Sequence, residues 1–394
     1  MDNTAVKKWI LPVIVIAQFL CTSLWFAGNA VIPDIVSNIA ATPGILANIT
    51  SAVQLGFIAG TLMFALLTIA DRFSPSVVFF VCSLIAAAFN LGMIIPGISV
   101  NSIMLLRFFT GFFLAGIYPV GMKIASDYFQ KGLVRSLGFL VGALVFGTSL
   151  PHLLKTFTTH LPWRYVIDTI SALSVSGGLL LLLLVKDGPY RKKGQALKFR
   201  ALLGGFSNAG FRSAALGYFG HMWELYAFWA FVPVMLTVNK EQHHNNLNVS
   251  LFSFWIIALG GIACMVSGVL SQRWGTKRIA AIALFLSGSC CIVSPLFLFS
   301  SNTTLLIGFL FFWGWMVIAD SPLFSALVAQ NVPEHSRGTL ITMVTCIGFA
   351  ITIISIQLIK MLSATISPQY IYLLLAIGPV LGLTALLQKN KTAE

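Results

Sequence analysis

The sequence predicts an all-α membrane protein with twelve transmembrane helices in two pseudo-symmetric six-helix bundles. The first observation is composition: 58% of the 394 residues are hydrophobic and only 9% are charged, whereas soluble domains carry about 25% charged residues. The second is a series of apolar stretches long enough to cross a bilayer, which takes about 20 residues. The third is that the second half of the chain repeats features of the first. Together they leave no room for a large soluble catalytic domain.

The apolar stretches set the number of helices. Each is bounded by Pro, Gly, Asn or charged residues, which commonly end membrane helices. Dividing 394 residues by twelve gives about 33 residues for each helix with its loop. The stretches cover residues 9–33, 46–69, 77–97, 102–122, 134–154, 163–185, 211–237, 250–271, 279–299, 303–329, 338–360 and 369–388.

The longest polar segment, residues 186–209, separates the first six stretches from the last six. It holds six Lys and Arg residues and is typical of a linker between two domains. We therefore expect an N-terminal six-helix bundle over residues 1–185, a cytoplasmic linker over 186–209 and a C-terminal six-helix bundle over 210–394.

The net charge of +13 is unevenly distributed. With the N-terminus in the cytoplasm, 19 of the 24 Lys and Arg residues fall in inner segments, four fall in outer segments and Arg107 alone lies within a span. This asymmetry follows the positive-inside rule and predicts that both termini are cytoplasmic. Topology and contact with membrane lipids explain the basic excess, so nucleic acid is not an expected partner.

The two halves align at an offset of about 200 residues. Arg72 corresponds to Arg273 at an offset of 201. Pro119 corresponds to Pro322 at an offset of 203. Parallel six-helix repeats, related by an axis along the membrane normal, build one class of secondary transporter, in which the solute site lies between the halves near the midplane.

The loops after the second and eighth stretches carry two partial copies of the motif Gly-x-Leu-Ala-Asp-Arg-x-Gly-Arg-Lys, which is found in the major facilitator superfamily. The first copy keeps Asp71 and Arg72. The second copy keeps Gly268, Leu270, Arg273, Gly275 and Lys277. On these residues the chain resembles that superfamily over its whole length, and the resemblance implies its twelve-helix fold.

In the family this loop forms a charge-linked latch on the cytoplasmic side. The resemblance therefore implies that charged residues in the inner loops bias the protein between inward-open and outward-open states. Their alternative role is that of simple positive-inside anchors. The implied latch residues are Asp71, Arg72, Arg135, Arg273, Lys277 and Arg337.

Other motifs narrow the resemblance. Arg107 and Gly111 are similar to the Arg-x-x-x-Gly motif of the family's fourth span, whereas the Gly-Pro motif of proton-antiporting drug exporters is missing from the fifth. The second and eighth spans lack the Arg with which nitrate carriers hold their anion. Residues 217–229 resemble a bacterial branch often grouped with cyanate and nitrate carriers, which implies a small organic or anionic solute.

Among the ionisable residues of the predicted spans, four are candidates for a functional role: Arg107, His221, Glu224 and Asp320. Placing such a group at membrane depth costs about 2.5–3.5 kcal/mol, so function is the first hypothesis for each of them. Burial disfavours the charged form of a carboxyl group and a nearby cation favours it. We expect the four to act in proton coupling, with Glu224 as the main coupling group. The alternatives for Glu224 are a static hydrogen bond and direct binding of a cation. For Asp320 the alternative is to satisfy backbone groups freed near Pro322. Arg107 has two alternatives, a substrate anion and a stabilising pair with an acid.

Polar and aromatic residues of the spans are candidates for contact with solute. Aromatic rings with one polar edge suit an amphipathic organic molecule, although Trp also anchors helices at the membrane surface. The candidates are Gln18, Asn29, Gln54, Tyr118, Trp223, Tyr226, Trp229, Trp313 and Gln357. His243 and His244 lack a third ligand spaced to complete a metal site, and no cofactor motif is present, so we expect neither a metal nor a cofactor.

These observations predict a secondary active transporter of the cytoplasmic membrane, not an enzyme. We expect a monomer that imports a small organic solute with protons by alternating access. Two alternatives stay open: proton-antiport efflux of a drug or metabolite, and a non-transporting membrane receptor with the same fold.

Overall fold

A computed structural model describes residues 8–38, 44–129, 133–157, 162–191, 200–332 and 337–388. Within these ranges the regular secondary structure is helical throughout. Short 3-10 turns at Gly92–Ile94 and Ile371–Ala376 extend two of the helices. The helices are α1 (Ile10–Thr22), α2 (Ala27–Asn38), α3 (Ile45–Leu66), α4 (Ile69–Arg72), α5 (Pro75–Leu91), α6 (Val100–Leu114), α7 (Tyr118–Tyr128), α8 (Leu133–Phe157), α9 (Arg164–Leu184), α10 (Arg200–Ser207), α11 (Ala209–His243), α12 (Val249–Trp274), α13 (Thr276–Phe297), α14 (Thr303–Ala319), α15 (Ser321–Gln330), α16 (Arg337–Leu362) and α17 (Ile377–Leu387).

The helices occupy all twelve predicted apolar stretches. Nine helical segments of the described residues are long and apolar enough to cross a membrane. The helix α1 and the segment Ile371–Leu387 are shorter apolar helices, and α11 is long enough to span, with 35 residues. The predicted all-α membrane fold is therefore confirmed.

Helices α1–α9 pack mainly on one another, as do α11–α17. The two groups meet chiefly where α8 packs on α12 and where α3 packs on α16. At the first of these contacts Gly142 faces Gly261, and a Cβ atom on Gly142 would lie 3.0 Å from the Gly261 carbonyl oxygen. Small residues allow membrane helices to approach this closely. The exact boundaries of the two bundles, at residues 185 and 210, stay a prediction.

Three spans are interrupted part-way along their length. The first span breaks between α1 and α2, the fourth between α6 and α7, and the tenth at Asp320, between α14 and α15. Pro119 and Pro322 lie in the first turn of α7 and of α15. A backbone N–H group in the first turn of a helix has no acceptor within that helix, so a proline, which lacks this group, costs little there. The repeat noted in the sequence thus corresponds to matching breaks in the fourth and tenth spans.

Candidate functional site

An aromatic cluster fills the region where the two groups of helices meet. Trp25 of the first group lies 5.9 Å from Tyr226 and 5.5 Å from Phe349 of the second, measured between ring centroids. Phe57 packs on both Trp25 and Phe349. The cluster consists of Trp25, Phe26, Phe57, Tyr226, Trp229 and Phe349, all of them buried. These tilted and edge-on ring contacts join four spans, the first, second, seventh and eleventh.

Polar side chains join α3 to α16 beside the aromatic cluster. The bonds run along the two helices toward the predicted outer end of the protein. They connect Gln54 with Thr352 at 2.7 Å, Ser51 with Gln357 at 2.8 Å and Asn48 with Lys360 at 2.8 Å.

Several buried polar atoms in and near the cluster have no hydrogen-bond partner among the described residues. Buried polar groups are normally satisfied, so such atoms are places where water or a ligand can bind. Three are N–H donors that face the junction of the two groups, on Trp25, Trp229 and Gln54. The others are the Asn29 amide oxygen and both amide atoms of Gln18, which packs against Gly121.

Glu224 lies inside the second group of helices, between α11, α13 and α14, and not at the junction. Trp313 donates its indole N–H to Oε1 at 2.7 Å, and the Cys291 thiol lies 3.3 Å from the same oxygen. The Ser287 hydroxyl donates to Oε2 at 2.9 Å. The side chain of Glu224 is thus held by three donors and faces protein, not lipid.

Asp320 and His221 form a second buried titratable pair in the same group of helices. His221 Nδ1 lies 2.8 Å from Asp320 Oδ1, and both side chains are at most 1% exposed. His221 Nε2 and Asp320 Oδ2 have no partner within the described ranges. Although His221 and Glu224 lie one turn apart on α11, each bonds to a different set of residues. Asp320 also stands at the break in the tenth span.

Arg107 is fully buried in the first group of helices. One of its terminal nitrogens donates to the carbonyl oxygens of Leu24 and Trp25, at 3.0 and 2.5 Å, and the other donates to Asn90 Oδ1 at 3.1 Å. The two carbonyls lie in the break between α1 and α2, where the regular helical bonding pattern is interrupted, although Leu24 also accepts from the Ala27 N–H at 3.4 Å. No carboxylate of the described residues lies within salt-bridge distance of Arg107, so the cation stabilises the broken helix.

Some of the remaining solute candidates lie at the junction of the two groups of helices, and the others lie elsewhere. Tyr226, Trp229 and Gln54 belong to the junction, as does Gln357 through its bond to α3. By contrast Trp223 donates a hydrogen bond to the Leu374 carbonyl at 2.9 Å, and Trp313 donates its indole N–H to Glu224. Tyr118 is partly buried at the start of α7, directly after the break in the fourth span.

Sequence reasoning missed Phe26, Phe57, Phe349 and Thr352 at the junction. The chain holds 32 Phe residues, and nothing in their spacing separates those that face the other half from those that face lipid.

The four implied latch residues whose side chains are described, Asp71, Arg72, Arg273 and Lys277, form no bond between the two groups of helices within the described part of the chain. Asp71 pairs with Lys123 of α7 at 2.9 Å, and Arg72 bonds to Thr68 in its own loop. Arg273 and Lys277 are exposed. The side chains of Arg135 and Arg337 lie outside the described residues.

The segment that follows α9 covers this loop, which the sequence did not indicate. Arg191 donates to the carbonyl oxygens of Asp71 and Phe73, at 2.9 and 2.7 Å. The hydroxyl of Ser74 donates to Asp187 Oδ1 at 2.6 Å. The start of the linker therefore holds the first copy of the motif in place.

No metal site emerges among the described residues, where no group of three His, Cys, Asp or Glu side chains could hold an ion. His243 instead lies 3.2 Å from the carbonyl oxygen of Phe299 through Nε2.

Two repeated groups of membrane helices that enclose aromatic rings and unpaired polar atoms define the class of a multi-pass membrane carrier. The model of the Major Facilitator Superfamily matches residues 14–356 and 214–393. The chain belongs to this superfamily. Its members are secondary transporters of small molecules, so the protein is a transporter and not an enzyme.

A comparison of structures agrees with the fold. The protein is similar to the structure of the MFS proton:xylose symporter XylE bound to 6-bromo-6-deoxy-D-glucose, with a TM-score of 0.74 over 97% of this chain and 95% of that chain. The two sequences are 12% identical, so the likeness concerns the fold alone. No curated protein matches the chain in sequence.

Proposed function

We propose that the protein is a proton-coupled symporter that imports a small organic solute across the cytoplasmic membrane, with both termini in the cytoplasm. The observation that carries the proposal is the placement of two titratable centres, Glu224 and the His221–Asp320 pair, in the buried interior of α11, α13, α14 and α15. Ionisable groups at membrane depth are costly and mark ion or proton pathways.

The surroundings of Glu224 allow it to take up and release a proton. Trp313 can only donate a hydrogen bond, so Oε1 stays an acceptor in both states. The Ser287 hydroxyl can donate or accept, and it lies 3.2 Å from a second acceptor, the Leu284 carbonyl oxygen. A proton on Oε2 would therefore donate to Ser287, whose hydroxyl would turn to Leu284. No heavy atom has to move.

The His221–Asp320 pair supports the same role, and it lies at the break in the tenth span. Asp320 stands between α14 and α15, so its charge acts on a break where two helix ends meet. The start of α15 carries a partial positive charge that favours an anion. Protonation of Asp320 would weaken that attraction and change the balance between straighter and more bent forms of the tenth span.

The junction of the two halves supports a solute site. The N–H groups of Trp25, Trp229 and Gln54 would bind oxygen atoms of a neutral or anionic solute, and the aromatic rings would cover its apolar part. The bonds between α3 and α16 close the predicted outer side. In alternating access, solute could enter from the outer side only after the bonds between α3 and α16 have broken.

Proteoliposomes that contain a pH-sensitive dye test the proposal. A panel of small sugars, amides and carboxylates would be added outside in the absence of a pH gradient. Symport predicts that one class of solute carries protons inward and acidifies the lumen. The variant Glu224→Gln should exchange solute without proton influx, while Glu241→Gln, which changes an exposed acid, should behave as the wild type.

The other outcomes of this assay are equally specific. Lumenal alkalinisation on addition of a solute would indicate antiport and would replace the symport proposal. Ligand-induced thermal stabilisation of the purified protein without any flux would indicate a receptor. Proton influx that survives Glu224→Gln would remove Glu224 from the coupling mechanism.

A further inference from the structure

A groove between α13 and α17 opens on the lipid-facing surface of the protein. Its volume is about 620 Å³. The side chains at one end are basic and those along the rest of it are apolar, and Phe285 and Leu387 are 60% and 64% exposed. The lining residues are Lys277, Arg278, Ala281, Ile282, Phe285, Leu383 and Leu387.

The basic end coincides with the start of α13. Lys277 and Arg278 lie in the first turn of this helix, are exposed, and form no ion pair with another described residue. Gly275 precedes the helix and supplies no side-chain cap. The first N–H groups of a helix lack partners and carry a partial positive charge. Two cations and a helix start thus attract an anion to the same end of the groove.

The repeat-related position in the other half already holds an anion. Ser74 precedes α5 as Gly275 precedes α13, at an offset of 201. Its hydroxyl donates to the carboxylate of Asp187, which follows α9. Arg191 also pairs with that carboxylate. In the N-terminal half, a carboxylate of the chain itself therefore stands at the start of the third span.

The C-terminal half has lost this carboxylate and gained two cations. At offsets of 200–203 the counterpart of Asp187 falls within Leu387–Asn390, which contains no acidic residue. At an offset of 201, Ser76 and Val77 become Lys277 and Arg278. The start of α5 is thus next to a carboxylate of the chain itself, whereas the start of α13 carries two cations and receives no acid from the corresponding segment.

We propose that the α13–α17 groove is a binding site for an anionic phospholipid. The phosphate would lie against Lys277, Arg278 and the start of α13, and one acyl chain would cover Ala281, Ile282 and Phe285. Basic pockets between membrane helices at the membrane surface are suited to anionic headgroups. The apolar floor selects a lipid over free phosphate, and the proposal is independent of the solute that the protein transports.

Native mass spectrometry of the purified full-length protein tests the site. Phosphatidylglycerol would be titrated against zwitterionic phosphatidylethanolamine with the same acyl chains, and we expect preferential retention of phosphatidylglycerol. The double variant Lys277→Gln/Arg278→Gln should weaken that retention roughly thirty-fold, since each cation near the surface contributes about a factor of five. The control Lys186→Gln/Arg212→Gln removes two other exposed charges and should leave the preference unchanged.

A second variant separates a lipid from a free anion. Ala281→Trp would fill the groove, and it should reduce phosphatidylglycerol retention while leaving any binding of inorganic phosphate as it was. Monodispersity and melting temperature would establish that each variant is folded. Equal retention of the two lipids by the wild type, or retention that withstands both the charge and the groove variants, would overturn the proposal.

Discussion

The two halves of the transporter share a scaffold and differ in their buried charges. The N-terminal half buries a cation, Arg107, that bonds to backbone carbonyls of the broken first span. The C-terminal half buries two acids, Glu224 and Asp320, and its seventh span is a continuous helix. At an offset of 200, Glu224 takes the position of Leu24, the residue whose carbonyl Arg107 holds. The repeat has therefore kept the breaks of the fourth and tenth spans, whereas the first and seventh spans differ both in their helix break and in their buried charged groups.

This difference suggests a division of labour between the halves. A guanidinium group stays protonated at all physiological pH values, so Arg107 suits a permanent structural role. Carboxyl and imidazole groups change charge more readily, so Glu224, Asp320 and His221 suit coupling. Variants of the two halves should then fail in different ways.

The largest loss of stability is expected for Arg107→Met. The substitution leaves the Trp25 carbonyl oxygen and the Asn90 side-chain oxygen without their Arg107 donor in a buried site, while the Leu24 carbonyl keeps only a 3.4 Å bond from the Ala27 N–H. Each unsatisfied group costs about 1–3 kcal/mol, so we expect a loss of at least about 2 kcal/mol in the free energy of unfolding. Thermal unfolding in detergent measures it, with Arg164→Met as the exposed control. An unchanged melting temperature would contradict the structural role of Arg107.

Asp320→Asn should reverse this pattern. The amide keeps the shape of the side chain and can still bond to His221, so we expect little change in melting temperature. Proton influx with solute should be lost, because the amide cannot take up a proton at this pH. Dye-loaded proteoliposomes measure the influx, and Asp168→Asn changes an exposed acid as the control. A variant that unfolds but still couples would contradict the proposed division.

Thr352→Val removes a hydrogen bond between the halves instead of one within a half. Gln54 Oε1 would lose its 2.7 Å bond while buried, and about 1 kcal/mol is expected. The contact between α3 and α16 at the predicted outer side should open more readily, so a thiol-reactive probe should label Ser51→Cys/Thr352→Val faster than Ser51→Cys alone, which already lacks the Ser51–Gln357 bond. Thr365→Val, on an exposed residue, is the control. Slower or unchanged labelling would show that α3 and α16 do not form the outer seal.

The smallest effect is expected for Asp71→Asn. Its ion pair with Lys123 is partly exposed, at 24% and 22%, so the pair contributes about 0.5 kcal/mol. A double-mutant cycle with Lys123→Gln isolates this energy. A loss for Asp71→Asn alone that is much larger than this coupling energy would indicate that Asp71 also bonds to other groups, as the latch requires.

The fold followed from the sequence because it depends on features that a sequence shows directly. Apolar length gave the twelve spans, whereas the breaks next to Pro119 and Pro322 were not predicted from the sequence. The rarity of ionisable residues in the spans also singled out Arg107, Glu224, His221 and Asp320, all of which are buried.

Their partners could not be predicted, for physical reasons. Arg107 bonds mainly to backbone carbonyls, which every residue has, so no sequence signal points to Leu24 or Trp25. Glu224 binds Ser287, Cys291 and Trp313, whose side chains occur widely and come together only through packing. Lys123, the partner of Asp71, lies 52 positions away and is one of many inner basic residues.

The contact of Gly142 with Gly261 has a mechanical consequence. Because the backbones of α8 and α12 nearly touch there, the two halves cannot approach further along that edge, and we expect relative motion to be a tilt about this contact. The contact between α3 and α16 would then change more than the contact between α8 and α12. A larger side chain at Gly142 would push α8 and α12 apart at this contact. It would thereby change the equilibrium between inward-open and outward-open states although Gly142 is not one of the residues proposed to bind solute.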